Sequence, residues 1–317
     1  MVAAVFAGSW RALWQRFRPV DRLTAGYTLA FAVGVVLLGR DQPRWWVWVL
    51  AHLLLLLAIV VVVGRWGERV KGASGFVRLL YPAMLYPLFY REAQIAVHWI
   101  FPGFLDHQIV ALERAVFGVD PNVWLGPAQS VVVNELLMLG YFSYYLLLPV
   151  VALSLYVKGR SEELSALLHA TTAAFVISYV GFALYPLEGP RYFLADRFSA
   201  PLAGWFIVPL VNWIVGNGAI HGGCMPSSHV AVALVVLVWA KRTQPRLAAV
   251  LAPLVLLLFA ATVWGRFHYF SDVVAGWGVG IAALWLTRSR QTRSRRVPSG
   301  QTGIDRIASP ALAERTS

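Results

Sequence analysis

Only one cysteine, Cys224, occurs in 317 residues, so no intrachain disulfide can form and cysteine usage leaves the redox compartment open. Charge is almost as scarce. Asp, Glu, Lys and Arg make up 13% of the chain, and just 15 residues are acidic. A soluble fold of this length covers itself with far more charge, so a water-exposed globular domain is excluded. No acidic residues stand at metal-ligand spacing, and no period repeats along the chain. The N-terminal stretch mixes Arg and Trp throughout, and no continuous apolar run leads to a small-residue cleavage site. A cleaved signal peptide is therefore not expected.

What fills the chain is apolar. Hydrophobic residues reach 59%, with 14 Trp, and the mean hydropathy is +0.64. Runs near 23–40, 45–64, 77–101, 131–157, 162–186, 227–241, 246–264 and 269–287 each approach the roughly 20 residues a membrane helix needs. The net charge of +12 does not point to nucleic acid, because its placement follows the connectors. Arg11, Arg16, Arg18 and Arg22 precede the first run. Arg65, Arg69, Lys71 and Arg78 follow the second, Lys158 and Arg160 the fourth, and Lys241, Arg242 and Arg246 the sixth. Arg288, Arg290, Arg293, Arg295 and Arg296 follow the eighth. Every second connector is basic, as the positive-inside rule requires of eight spans with both ends cytoplasmic. Arg40 and Arg44 beside Asp41 are the exception. The expected fold is an all-α polytopic membrane bundle of about eight transmembrane helices. The connector around 101–127 carries Leu105, Ile109, Leu112 and Val116 at helical steps, which predicts an amphipathic helix on the outer membrane surface.

This topology brings three polar clusters to the non-cytoplasmic side: Glu188 to Tyr192, Pro226 to His229, and Gly265 to Asp272. Two arginines, two histidines, an aspartate and two serines therefore share one membrane level. Arginine's planar fork matches phosphate oxygens, and a helix opening at Ser227 or Ser228 offers free N–H groups to an anion. Two histidines supply an attacking group and a proton donor. His268 and Asp272, at i and i+4, would face each other on a helix, and the carboxylate would fix the imidazole tautomer. This is phosphoryl-transfer chemistry without a metal clamp, and no cofactor is implied.

Pro226-Ser227-Ser228-His229, with His268-x-x-x-Asp272 downstream and Arg191 upstream, resembles the type 2 phosphatidic acid phosphatase superfamily, over roughly residues 77–287. The resemblance implies a six-helix catalytic core at 76–287. Before it stand a cytoplasmic segment and two additional helices at 1–75, and after it a disordered basic tail at 288–317. It also implies that His268 is the nucleophile, Asp272 its orienting partner and His229 the general acid. Arg191, Arg266 and Ser228 would bind phosphate, with Ser227 as a further hydroxyl donor. The implied activity is a metal-independent phosphatase or phosphotransferase in the plasma membrane, acting on a lipid phosphate or phospholipid at the outer face. Two positions depart from the family pattern. Leu184 stands where its first motif has lysine, and Thr262 where its third motif has arginine. The compact Arg266-Phe267-His268 spacing resembles the sphingolipid head-group transferases, such as the inositol phosphorylceramide synthases. That makes transfer of a phospho-head-group to a lipid alcohol the alternative reading, and an anion or lipid transporter is the non-enzyme rival. Cys224 is expected to pack rather than react, and His52, His98 and His169 to be structural. His221 lies near the site. Arg91 and Glu92, inside the third run, each need a partner of their own.

Overall fold

The structure, a computed structural model, describes residues 12–67 and 71–294. Most of the basic tail expected to be disordered, and the first eleven residues, lie outside that range. The described chain is helical: α1 (Pro19–Leu38), α2 (Trp45–Trp66), α3 (Gly72–Met84), α4 (Tyr86–Ala96), α5 (Asp106–Phe117), α6 (Pro121–Trp124), α7 (Val131–Val157), α8 (Ser161–Leu184), α9 (Pro190–Phe193), α10 (Ile207–Gly218), α11 (Ser228–Thr243), α12 (Pro245–Trp264) and α13 (Phe270–Ser294). Short 3₁₀ turns follow α6 and α9. The protein is an all-α integral membrane bundle.

Six of these helices, α1, α2, α7, α8, α12 and α13, are long and apolar enough to cross a membrane. They match six of the eight expected runs, and the other two differ for physical reasons. The third run is divided at Leu85 into α3 and α4. Pro82 and Pro87 flank the break, and neither can donate a backbone hydrogen bond. The sixth run, α11, has only 16 residues, a rise of roughly 24 Å. Its Val230, Ala231, Ala233, Val235, Val236 and Ala240 are buried, because α7, α8, α12 and α13 pack around it. A helix enclosed by protein does not have to match the thickness of lipid.

The basic connectors meet at the end of the bundle opposite the site. Between α7 and α8, Lys158 Nζ donates to Gln244 Oε1 (2.8 Å) and Arg160 Nη1 to the Thr243 carbonyl (2.5 Å), at the α11–α12 turn. Tyr156 O–H reaches the Gly72 carbonyl at 2.9 Å, which brings the start of α3 to the same end.

The first two helices are bound firmly to the rest. Arg78 on α3 donates two parallel bonds to Asp21 on α1, at 2.9 and 2.7 Å. Both side chains are buried, and Tyr81 O–H adds a third bond to the same carboxylate at 2.8 Å. Deeper in the bundle, His52 Nε2 on α2 lies 3.2 Å from Glu92 Oε2 on α4, although the two are not aligned for a hydrogen bond. Glu92 thus has the separate partner that its membrane position demands, while Arg91 is exposed.

The connector helix α5 departs from expectation. Its inward face is Asp106, Ile109, Val110 and Glu113, whereas Leu112 and Val116 point outward. Ile109 and Val110 pack on Leu187, Leu194, Cys224 and Tyr269. The helix therefore covers the motif loops, with Leu112, Val116 and Phe117 on its outer face.

Candidate active site

The three polar clusters converge as their placement in the sequence implies. Leu187 and Gly223 form a parallel bridge that joins the first loop to the second. Ser227 N donates to the Asp272 carbonyl at 3.0 Å, joining the second to the third. The approach of α13 to α11 depends on Gly276, where a Cβ would lie 2.6 Å from the Ser227 carbonyl oxygen.

His268 ends the turn between α12 and α13, with its side chain buried. Its Nδ1 lies 3.3 Å from Asp272 Oδ2. Asp272 has a second task, since the same oxygen accepts the Tyr269 N–H at 2.9 Å and so caps the start of α13. Cys224 Sγ also donates to Oδ2, at 2.8 Å, while Oδ1 is buried without a partner.

His229 sits in the first turn of α11, and its ring centroid is 5.7 Å from that of His268. Tyr141 and Tyr144 of α7 hold the ring from the other side, at 5.2 and 4.3 Å. Tyr141 O–H and His229 Nε2 are 3.2 Å apart, and His229 Nδ1 is buried with no partner.

Arg266 occupies the left-handed region (φ 63°), a conformation costly for a side chain of this kind. Its guanidinium lies over Phe198 at 3.9 Å. It donates to the Ala200 carbonyl (2.9 Å) and to Gln129 Oε1 (3.0 Å), and its Nε has no acceptor. Arg191, in α9, stands over Phe267 at 5.7 Å, with Nη1 buried and likewise unpaired. Burial, and then the neighbouring Arg191, push the pKa of Arg266 down. An anion between the two guanidinium groups would relieve that cost and satisfy the free N–H groups.

The serines divide. Ser227 Oγ caps α11, accepting from Val230 N at 3.4 Å, while Ser228 begins the helix beside His229. Leu184 is half exposed and lines an apolar groove with Val180, Met225 and Pro226. Thr262 is fully buried, and its carbonyl accepts both Phe267 N and His268 N at 3.0 Å. It supports the turn that carries Arg266. His221 lies at the rim, 3.7 Å from Glu188 and against Tyr192.

Sequence reasoning missed the residues that hold these loops in place. Asp106 accepts Glu188 N (2.8 Å), Gly189 N (2.9 Å) and Tyr269 O–H (2.8 Å), tying the first cluster to the third. Glu113 Oε1 accepts the N–H and hydroxyl of Ser271 at 2.7 and 2.9 Å. Asn122 donates to the Val263 and His268 carbonyls at 2.8 and 3.0 Å. Gln129 bonds Arg266 and the Trp264 carbonyl. A signal was present for two of them: Asp106 and Glu113 share a helical face with Ile109 and Val110, at i, i+3, i+4 and i+7. Acidic residues on an apolar face mark a buried partner.

Residues 107–286 match the PAP2 superfamily, and the chain belongs to that superfamily. It is also similar to a PA-phosphatase related-family protein of Dictyostelium discoideum. The two are 22% identical over 218 residues, which is 62% of this chain and 38% of the relative, so the chain spans well under half of that protein's length. No solved structure matches.

Proposed function

We propose that the protein is a metal-independent lipid-phosphate phosphatase or phosphotransferase, working at the non-cytoplasmic face through a phosphohistidine. The observation that carries this reading is a buried His268–Asp272 pair beside two arginines whose free N–H groups have no protein acceptor. Arg191, Arg266, the Ser228 hydroxyl and the first-turn N–H groups of α11 hold the phosphate oxygens. Asp272 accepts the His268 Nδ1–H, which leaves the Nε2 lone pair for phosphorus. As the P–N bond forms and the bond to the leaving oxygen breaks, His229 gives that oxygen its proton. Water or an alcohol then loses a proton to His229 and attacks phosphorus, which frees His268. Membrane-spanning helices and family membership support a lipid substrate. The compact Arg266-Phe267-His268 turn favours, as a second reading, transfer of a phospho-head-group to a lipid alcohol.

Arginines that neutralise the phosphate stand in for a metal clamp, so excess chelator is expected to leave the rate within about twofold. Phosphate release from dioctanoyl phosphatidic acid in detergent, with and without EDTA, checks this. Complete loss restored by Mg²⁺ overturns it.

The basic connectors lie at the end opposite the site, which supports an outward-facing pocket. In a Cys224→Ser background, Asp196→Cys is expected to react with a membrane-impermeant maleimide in right-side-out vesicles. Glu162→Cys should react only after the membrane is opened. Both positions are exposed. The reverse pattern places the site in the cytoplasm and rules out an outer-leaflet substrate.

A further inference from the structure

The carboxylate behind His268 is shared in an unequal way. Three donors crowd Asp272 Oδ2: Cys224 Sγ at 2.8 Å, Tyr269 N at 2.9 Å and His268 Nδ1 at 3.3 Å. The other oxygen, Oδ1, is buried and takes none. The imidazole is the most distant of the three, well beyond the roughly 2.7–2.9 Å of a charge-assisted N–H···O bond. Cys224 also stands 3.5 Å from His268 Nδ1 itself, and its backbone is fixed by the Leu187–Gly223 bridge next to it.

We infer that Cys224 is a positioning residue for the nucleophile: its S–H bond to Asp272 withholds part of the carboxylate from His268 and thereby sets the basicity of the imidazole. The inference rests on His268 being the nucleophile. A thiol suits this role because it is a weak donor that stays protonated. Burial first, and then the Asp272 carboxylate, push its pKa well up. The other groups facing the pair differ in kind. Asp106 bonds Tyr269 O–H and Glu113 bonds Ser271, so both act on the pair through their charge and neither through a hydrogen bond to it. His229 meets the His268 ring edge to face, and Arg191 and Arg266 flank Phe267 and Phe198. Among the described residues, the thiol is thus the side-chain donor that competes with His268 for Oδ2.

Removing the thiol frees Oδ2 for His268, which stabilises the imidazolium over the neutral ring. The attacking form is neutral imidazole, so the acid limb of kcat/KM moves to higher pH. A hydrogen bond of ordinary strength corresponds to a shift of about half to one pH unit. The experiment compares pH profiles of the parent, Cys224→Ala, Cys224→Val and Cys224→Ser on dioctanoyl phosphatidic acid. His268→Ala runs alongside, and the thermal midpoint of each variant is measured. The expected result is an upward shift in Cys224→Ala and Cys224→Val, with the alkaline plateau within about threefold of the parent. Cys224→Ser, which retains a donor, should return the limb to its parental position. A purely structural role would lower the plateau and leave the limb in place. If Cys224→Ala unfolds, Cys224→Val, which fills the space without a donor, decides the matter. Coincident limbs in the parent and the donor-less variants, with His268→Ala inactive, overturn the inference alone. So does a Cys224→Ser limb shifted as far as that of Cys224→Ala. An active His268→Ala overturns both this inference and the phosphohistidine reading.

Discussion

Replacing His268 with alanine is expected to lower phosphate release by about 10⁴-fold or more, to the level of membranes lacking the protein. The loss should be catalytic rather than structural. Asp272 keeps its bonds from Tyr269 N and Cys224 Sγ, so the start of α13 stays capped. Asn122 binds the backbone carbonyl of residue 268, which the substitution retains. The variant should therefore extract from membranes and elute as the parent does. Brief incubation with a ³²P-labelled lipid phosphate, quenched in alkali, should label the parent and leave the variant unlabelled, because a phosphohistidine survives base. More than a tenth of parental activity in a folded His268→Ala would show that another group attacks phosphorus.

Asp272→Asn carries the second large effect, by a different route. Asparagine matches aspartate in shape, and its amide oxygen can still accept the Tyr269 N–H that caps α13. That same oxygen faces His268 Nδ1, so the tautomer and the cap are both retained. What changes is the charge: a neutral amide oxygen no longer supports the imidazolium that forms as His268 attacks phosphorus. The expected fall in kcat is on the order of 10³-fold or more, with a thermal midpoint close to the parent's. An Asp272→Asn variant running at parental rate would leave Asp272 only the helix start.

These two experiments bear on a pair whose i, i+4 spacing is plain in the sequence, yet the spacing alone does not describe its surroundings. Cys224 looked like packing because a single apolar-flanked cysteine usually is. Its contact with Asp272 depends on the fold of the 222–227 loop, which lies 48 positions before the carboxylate. Asn122 likewise carries no signal as a positioning group, because its partners are backbone carbonyls of a distant turn. Backbone donors and acceptors carry no residue identity.

The sequence by itself determined the solvent and the family. Long apolar runs must seek lipid because burial of apolar area is proportional to composition and nearly indifferent to detail. Basic connectors order the runs because each charge resists crossing the bilayer. The histidine, arginine and serine motifs are legible because each is local in the chain, and the structure brings them together. The tertiary structure alone decided how those motifs are held. It turned α5 inward over the motif loops, broke the third span at Leu85 and enclosed the short α11 among its neighbours. It also bound the first two helices to the rest through Arg78 and Asp21. Each of these depends on which surfaces meet at distances of a few ångströms, and such meetings follow from packing and hydrogen-bond geometry rather than from spacing along the chain.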